Sequence, residues 1–206
     1  MRNRSAKRGV VGKASRPKSA SQSSSSSDKR SSPSTVLPFP NEWSEFIGLL
    51  SSHRVRFLVV GAHALAVIGR VRATKDLDLL VEPTRANAKR VCAALAEFGF
   101  RTLADEVAAF ATPDRMATLG REPLRIDLMT SISGVSFSTA WRGRVTVSLA
   151  GHAVPVIGRE AFLRNKRASG RPKDLADIAL VEELVAAVKS PVDEASPSRR
   201  RRSPTG

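Results

Sequence analysis

The sequence predicts an α/β (α+β) fold, a mixed central β-sheet flanked by helices, and three observations carry that prediction. Short apolar runs of strand length alternate with segments whose apolar residues recur every three or four positions. Glycines stand where the period changes, as at Gly61, Gly69 and Gly99. Two acids, Asp76 and Asp78, interrupt a strongly apolar run at i and i+2, which places both on one face of a strand.

Asn41 to Ser52 carries Trp43, Phe46, Ile47 and Leu50 at helical spacing, with Asn41 as its expected N-cap. Arg56 to Val60 reads as a buried strand, Ala62 to Ile68 as a short helix ended by Gly69, and Leu77 to Val81 as the strand that carries the acids. Thr84 caps a helix running through Glu97, whose stripe of Val91, Ala94, Leu95 and Phe98 stops at Gly99. Leu124 to Met129 is a further core strand built around a single acid, Asp127. Val145 to Leu149 and Val154 to Ile157 flank Gly151 as a hairpin, and helices are expected at Glu160 to Arg167 and Lys173 to Val188. The chain has no internal repeats.

The ends of the chain look unlike its middle. Residues 1–37 are rich in Ser, Lys and Arg, include a serine run from Ser23 to Ser27, and hold too few apolar residues to offset the entropy of ordering; they read as a disordered arm. Residues 196–206, with Arg199 to Arg202, read as a second disordered basic tail, leaving one domain over residues 38–195. A domain of that size buries roughly 68–70% of the surface its unfolded chain exposes, enough to stand without disulfides or structural metals. Of the net charge of +15, the arm contributes +8 and the tail +4, so the domain itself keeps only +3. The basic ends suit either a solubilising role or a salt-sensitive tether for RNA or DNA. The single cysteine, Cys92, has no partner and points to a reducing, cytoplasmic setting. No apolar stretch is long enough to span a bilayer, and the basic N-terminus lacks the apolar segment of a signal peptide.

Chemistry concentrates at three places. Strand, glycine and helix at Val59 to Ala66 aim backbone N–H groups at a helix N-terminus, where Gly61 permits close approach of a phosphate. Asp76 and Asp78, with Asp127 on the matching face of a later strand, form a candidate three-carboxylate site for Mg²⁺ or Mn²⁺. Two such ions about 3.5–4 Å apart activate an attacking hydroxyl and stabilise a leaving pyrophosphate oxygen. The competing reading makes these acids exposed strand residues or salt-bridge partners of Arg72, Lys75 and Arg125. The third place is KRASGRPKDLAD, from Lys166 to Asp177, where Asp174 and Asp177 share one helix face. There Lys166 would neutralise a triphosphate while Asp174 orients basic groups or caps the site; alternatively Asp174 simply favours the helix dipole.

Other chemistries are excluded. GxxGK at Gly9 to Lys13 has the wrong spacing for a Walker A loop, no GxGxxG occurs, and His53, His63 and His152 are scattered without cysteine pairs, which argues against zinc. His63 is read as a packed or exposed histidine and not as a phosphate ligand.

Gly61, then ATKDLDLLVEPT, then RIDL, then NKRASGRPKDLADI resemble in order and spacing the nucleotidyltransferase superfamily with the DNA polymerase β fold. More narrowly, the chain is similar to the AbiEii/AbiGii-toxin-like minimal nucleotidyltransferases, over about Arg56 to Leu184. The resemblance implies transfer of a nucleoside monophosphate from an NTP to an acceptor hydroxyl. Asp76, Asp78 and Asp127 would hold Mg²⁺ or Mn²⁺, with Asp127 as the base, and Gly61, Ala62, Lys166, Lys173 and Asp174 would serve the nucleotide. The acceptor would then be RNA, a tRNA end foremost if the chain acts as a toxin, or a protein or small-molecule hydroxyl, and a toxin would bring a cognate antitoxin as a partner. Where the family carries Gly-Gly or Gly-Ser, this chain has Gly61-Ala62, losing a hydroxyl contact while keeping the backbone donors. A catalytically silent domain of the same fold, binding nucleic acid or a partner protein, is the alternative.

Overall fold

The computed structural model describes residues 39–189; the expected arm (1–37), the basic tail (196–206) and the flanking residues 38 and 190–195 lie outside that range. The described residues form a six-stranded mixed sheet flanked by helices, as the sequence predicts. In chain order they run α1 (Asn41–Ser52), β1 (Phe57–Val59), α2 (Gly61–Ile68), β2 (Asp76–Val81), α3 (Arg85–Glu97), α4 (Arg101–Ala104), α5 (Val107–Phe110), β3 (Met116–Leu119), β4 (Arg125–Met129), α6 (Phe137–Arg142), β5 (Val145–Leu149), β6 (His152–Val156), α7 (Arg159–Ser169) and α8 (Pro172–Lys189).

The strand order is β3-β4-β2-β1-β6-β5. β2 pairs parallel with β4 and antiparallel with β1, while β1 pairs parallel with β6. The β2–β4 register sets Asp78 opposite Asp127 and Asp76 opposite Arg125. Side chains two apart on a strand share a face, so this one pairing gathers four charged groups on one side of the sheet.

The core is the apolar set the periodicities point to. Trp43, Phe46, Ile47 and Leu50 of α1 and Val91, Ala94 and Leu95 of α3 are buried against Leu58, Leu77, Leu79, Leu80 and Val81 of the central strands. Such side chains contribute about 1.5–3 kcal/mol each when fully buried. Thr84 caps α3 as expected, its hydroxyl accepting from the Asn87 N–H. Asn41 does not cap α1: it is the first helical residue, the N-cap position belongs to Pro40, and no side chain caps this end.

Four elements are absent from the sequence expectation. α4 and α5 are single turns, too short to show a period. β3 turns only Ala117 and Leu119 inward, a faint apolar signal. α6 is opened by Ser136, whose hydroxyl accepts from the Thr139 N–H. The hairpin between β5 and β6 turns on Ala150 and Gly151, both at positive φ, the backbone of a two-residue turn whose twist matches the strands. β6 accordingly begins at His152, two residues earlier than expected.

Candidate active site

α2 starts directly after β1, with Gly61 at φ +64°; a Cβ there would lie 2.0 Å from Asp78 Oδ2. Only glycine fits between the carboxylate of β2 and the first turn of α2, so the turn and the acid are built against each other. Ala62, the second residue of α2, is buried and lines the same space.

That space is a cleft of about 940 Å³. Gly61, Asp76, Asp78 and Asp127 line its sheet side, and Lys166 and Lys173 line its helical side. One oxygen from each of Asp76, Asp78 and Asp127 falls within 4.8 Å of the others, so a single hard cation can touch all three. Among the described residues this is the only group of three or more metal-ligating side chains so placed.

The three acids differ in their company. Asp76 accepts from the Thr74 hydroxyl at 2.5 Å and pairs with Arg125 at 2.5 Å. Burial alone would raise its pKa, but those two partners outweigh it and hold it below the ordinary aspartate value. Asp127 is buried, accepts from the Thr118 hydroxyl at 2.8 Å and pairs with Arg125 at 3.1 Å. Asp78 has no side-chain donor among the described residues. Burial, then the neighbouring Asp76 and Asp127 charges, push its pKa up to about 6, only partly offset by Lys166 and Lys173. Of the three cations weighed as salt-bridge partners from sequence, only Arg125 pairs with the triad; Arg72 pairs with Asp177 and Lys75 with Glu122.

The helical wall is a second charge cluster. Lys166 of α7 is buried, 2.7 Å from Asp174 Oδ1 and 2.8 Å from Asp177 Oδ2, with its ammonium 5.3 Å from the Phe162 ring centre. Arg171 donates to Asp174 Oδ2 at 2.6 Å. Burial would raise the Asp174 pKa, but donors from Arg171, Lys166 and Ser169 carry it well below the ordinary range. Asp177 is held by charge proximity to Lys166 and Arg72, without well-aligned hydrogen bonds. Asp174 does not line the cleft; it stands behind Lys166 and fixes it. Lys173, exposed at the start of α8, lines the cleft without an ion-pair partner among the described residues.

Sequence reasoning named Arg125 only as a competing partner of the acids and missed Thr74 and Thr118. Alternation along RIDL already puts Arg125 on the Asp127 face, whereas Thr118 lies on β3, which left almost no apolar signature. His63 sits beside the triad without lining the cleft: it interacts with the Asp76 charge and hydrogen-bonds the Asp76 backbone. It meets Trp43 and Phe39 edge-on at 5.1 and 5.9 Å, and burial lowers its pKa.

A family model matches residues 40–201, and it describes a nucleotidyl transferase of unknown function (DUF2204). Among solved structures, the chain is similar to an antigenic nucleotidyltransferase-like protein from Paracoccidioides brasiliensis. That match is 15% identical, covers 69% of this chain and 75% of that one, and has a TM-score of 0.42. A candidate nucleotidyltransferase from Thermotoga maritima is 14% identical, with 70% and 89% covered and a TM-score of 0.40. At those values the structural likenesses carry no argument of their own. No curated protein matches this sequence.

Proposed function

The chain belongs to this nucleotidyl transferase family of unknown function, and from that premise we propose that its cleft moves a nucleoside monophosphate from an NTP to an acceptor hydroxyl, releasing pyrophosphate. The observation that carries the reading is the triad itself: three carboxylates within 4.8 Å, the middle one without a donor. An unpaired, half-buried carboxylate flanked by two more is costly unless a cation shares it. All-oxygen donors in that number suit Mg²⁺ or Mn²⁺, with Asp76, Asp78 and Asp127 as the ligands.

When bound, the cation supplies charge for the triphosphate and lowers the cost of deprotonating the attacking hydroxyl. The chain's own groups do the remaining work. Gly61 and Ala62 offer backbone N–H groups at the start of α2 to phosphate oxygens. Lys166, fixed by Asp174 and Asp177, and the free Lys173 bring positive charge to the same phosphates. Asp127 accepts the proton of the acceptor hydroxyl. Preorganised charge of this kind supplies much of the rate acceleration in phosphoryl transfer.

RNA, with a tRNA end foremost, is the acceptor we favour. The basic arm over residues 1–37 and the AbiEii-like resemblance support it, and with it a toxin role in the cytoplasm with a cognate antitoxin. No described helix is long and apolar enough to cross a membrane. A silent, partner-binding domain is the second reading, favoured by Ala62 in place of the serine and by the guanidinium already seated on two of the acids. Incubation with each labelled NTP, Mg²⁺ or Mn²⁺ and total RNA, beside an Asp76→Ala, Asp78→Ala double variant, decides between them. Label transfer lost at least about 1,000-fold in the variant, roughly 4 kcal/mol of barrier, supports the enzyme; identical behaviour of the two proteins sinks it.

A further inference from the structure

Arg125 is the one cation among the described residues that touches the triad. Its Nη2 stands 2.5 Å from Asp76 Oδ2 and 3.1 Å from Asp127 Oδ2. The other oxygens of those two acids are engaged as well, Asp76 Oδ1 by the Thr74 hydroxyl and Asp127 Oδ1 by the Thr118 hydroxyl. Two of the three acids therefore have each oxygen in contact with a donor or cation of the chain itself. The oxygens that face the guanidinium are the ones not taken by threonines, so a divalent cation held by Asp76 and Asp127 would meet Arg125 there.

We propose that Arg125 is a resident counter-ion of the triad, a positioning residue that competes with the divalent cation for Asp76 and Asp127 and swings away when the cation loads. The proposal rests on the nucleotidyl-transfer reading of the same site. Two features make the exchange feasible. The Arg125 side chain is 33% exposed and lines the cleft, so it has somewhere to go. Its Nε is buried without a hydrogen-bond partner, so its resting place is incompletely satisfied. A triphosphate in the cleft offers the released guanidinium an alternative forked acceptor, which couples nucleotide arrival to cation loading. The free protein then holds the cation weakly, because apparent affinity falls with the fraction of molecules whose acids are open.

Mn²⁺ binding to the full chain without NTP, followed by the EPR signal of free Mn²⁺, tests this. Arg125→Gln is expected to bind Mn²⁺ about tenfold tighter than the unmodified protein, the gain if about nine molecules in ten rest with the acids closed. Arg125→Lys, which keeps the charge but not the fork, is expected to gain about threefold. Lys75→Gln removes a charge from the same cleft without touching the triad, and should stay within about twofold, since Lys75 is exposed and screened. Unchanged or weaker binding in Arg125→Gln overturns the proposal, as does an equal gain in Lys75→Gln. If Arg125→Gln does not fold by circular dichroism, Arg125→Lys decides, and its binding unchanged Mn²⁺ affinity overturns it. Asp78→Asn separates the two levels. Mn²⁺ binding that needs Asp78 but ignores Arg125 ends the counter-ion idea and leaves the metal site standing, whereas absence of any Asp78-dependent binding ends both.

Discussion

The cleft has two charged walls, and they treat buried carboxylates in opposite ways. On the helical side, Asp174 and Asp177 are 0% and 1% exposed, and Lys166, Arg171 and Arg72 surround them. On the sheet side, Asp76 and Asp127 share one guanidinium and Asp78 has no side-chain donor among the described residues. A buried acid with well-placed cations holds structure together; a crowded acid without one costs stability that only a ligand returns. The second wall is therefore where binding free energy is held in reserve, and the first is the frame that keeps a lysine aimed across from it.

The sharpest way to break this contrast is Asp78→Asn. Transfer activity should fall by at least about 1,000-fold, roughly 4 kcal/mol, while the metal-free protein gains about 1–3 kcal/mol of stability as one of three crowded charges disappears. Activity assays and thermal melts in EDTA measure the two arms; a destabilised variant would show that Asp78 is a structural acid like Asp174.

Next in size is Lys166→Met, which strands two buried carboxylates. Breaking a buried pair from one side costs about 3–5 kcal/mol, and urea midpoints should drop accordingly. The helical wall also has a defined pH signature. Asp174 is held below its unfolded value near 4. The stability it contributes is present above that value and is lost as pH falls through its lower folded value. Melting temperatures should decline below about pH 4, and Asp174→Asn should flatten that decline while lowering stability at neutral pH. A decline of unchanged steepness in the variant would assign acid unfolding to other groups. The smallest effect is expected at Ala62→Ser, which places a hydroxyl at the cleft edge of α2. One added hydrogen bond of about 0.5–1.5 kcal/mol should raise kcat/KM by roughly two- to tenfold. No gain would mean that the backbone donors alone hold the phosphate.

The two walls were not equally legible in the sequence. Asp76, Asp78 and Asp127 stand out because acids inside apolar strands have no packing rationale, and the parity of i and i+2 fixes their face. Gly61 was legible as a turn, but its close approach to Asp78 is a property of two elements and appears in neither alone. The helical wall gave Lys166 and Asp174 through local spacing, yet which carboxylate lines the cleft and which stands behind depends on how α7 crosses α8. Asp177 was legible only as sharing a helix face with Asp174; that it is buried and tied to Arg72, from the segment preceding β2, depends on the packing of distant elements. Thr118 was invisible because β3 is an edge strand with only two inward side chains, one of them Ala117.

The pairing of β2 with β4 carries a consequence for how the protein comes into being. Asp78 and Asp127 are neighbours only through a parallel register that joins distant parts of the chain across α3, α4, α5 and β3. Contacts of that range form late and slowly compared with local helices. A partly opened chain can hold α7, α8 and the local Lys166–Asp174 pair while having no assembled triad. Any chemistry at Asp76, Asp78 and Asp127 therefore begins only after the sheet has closed.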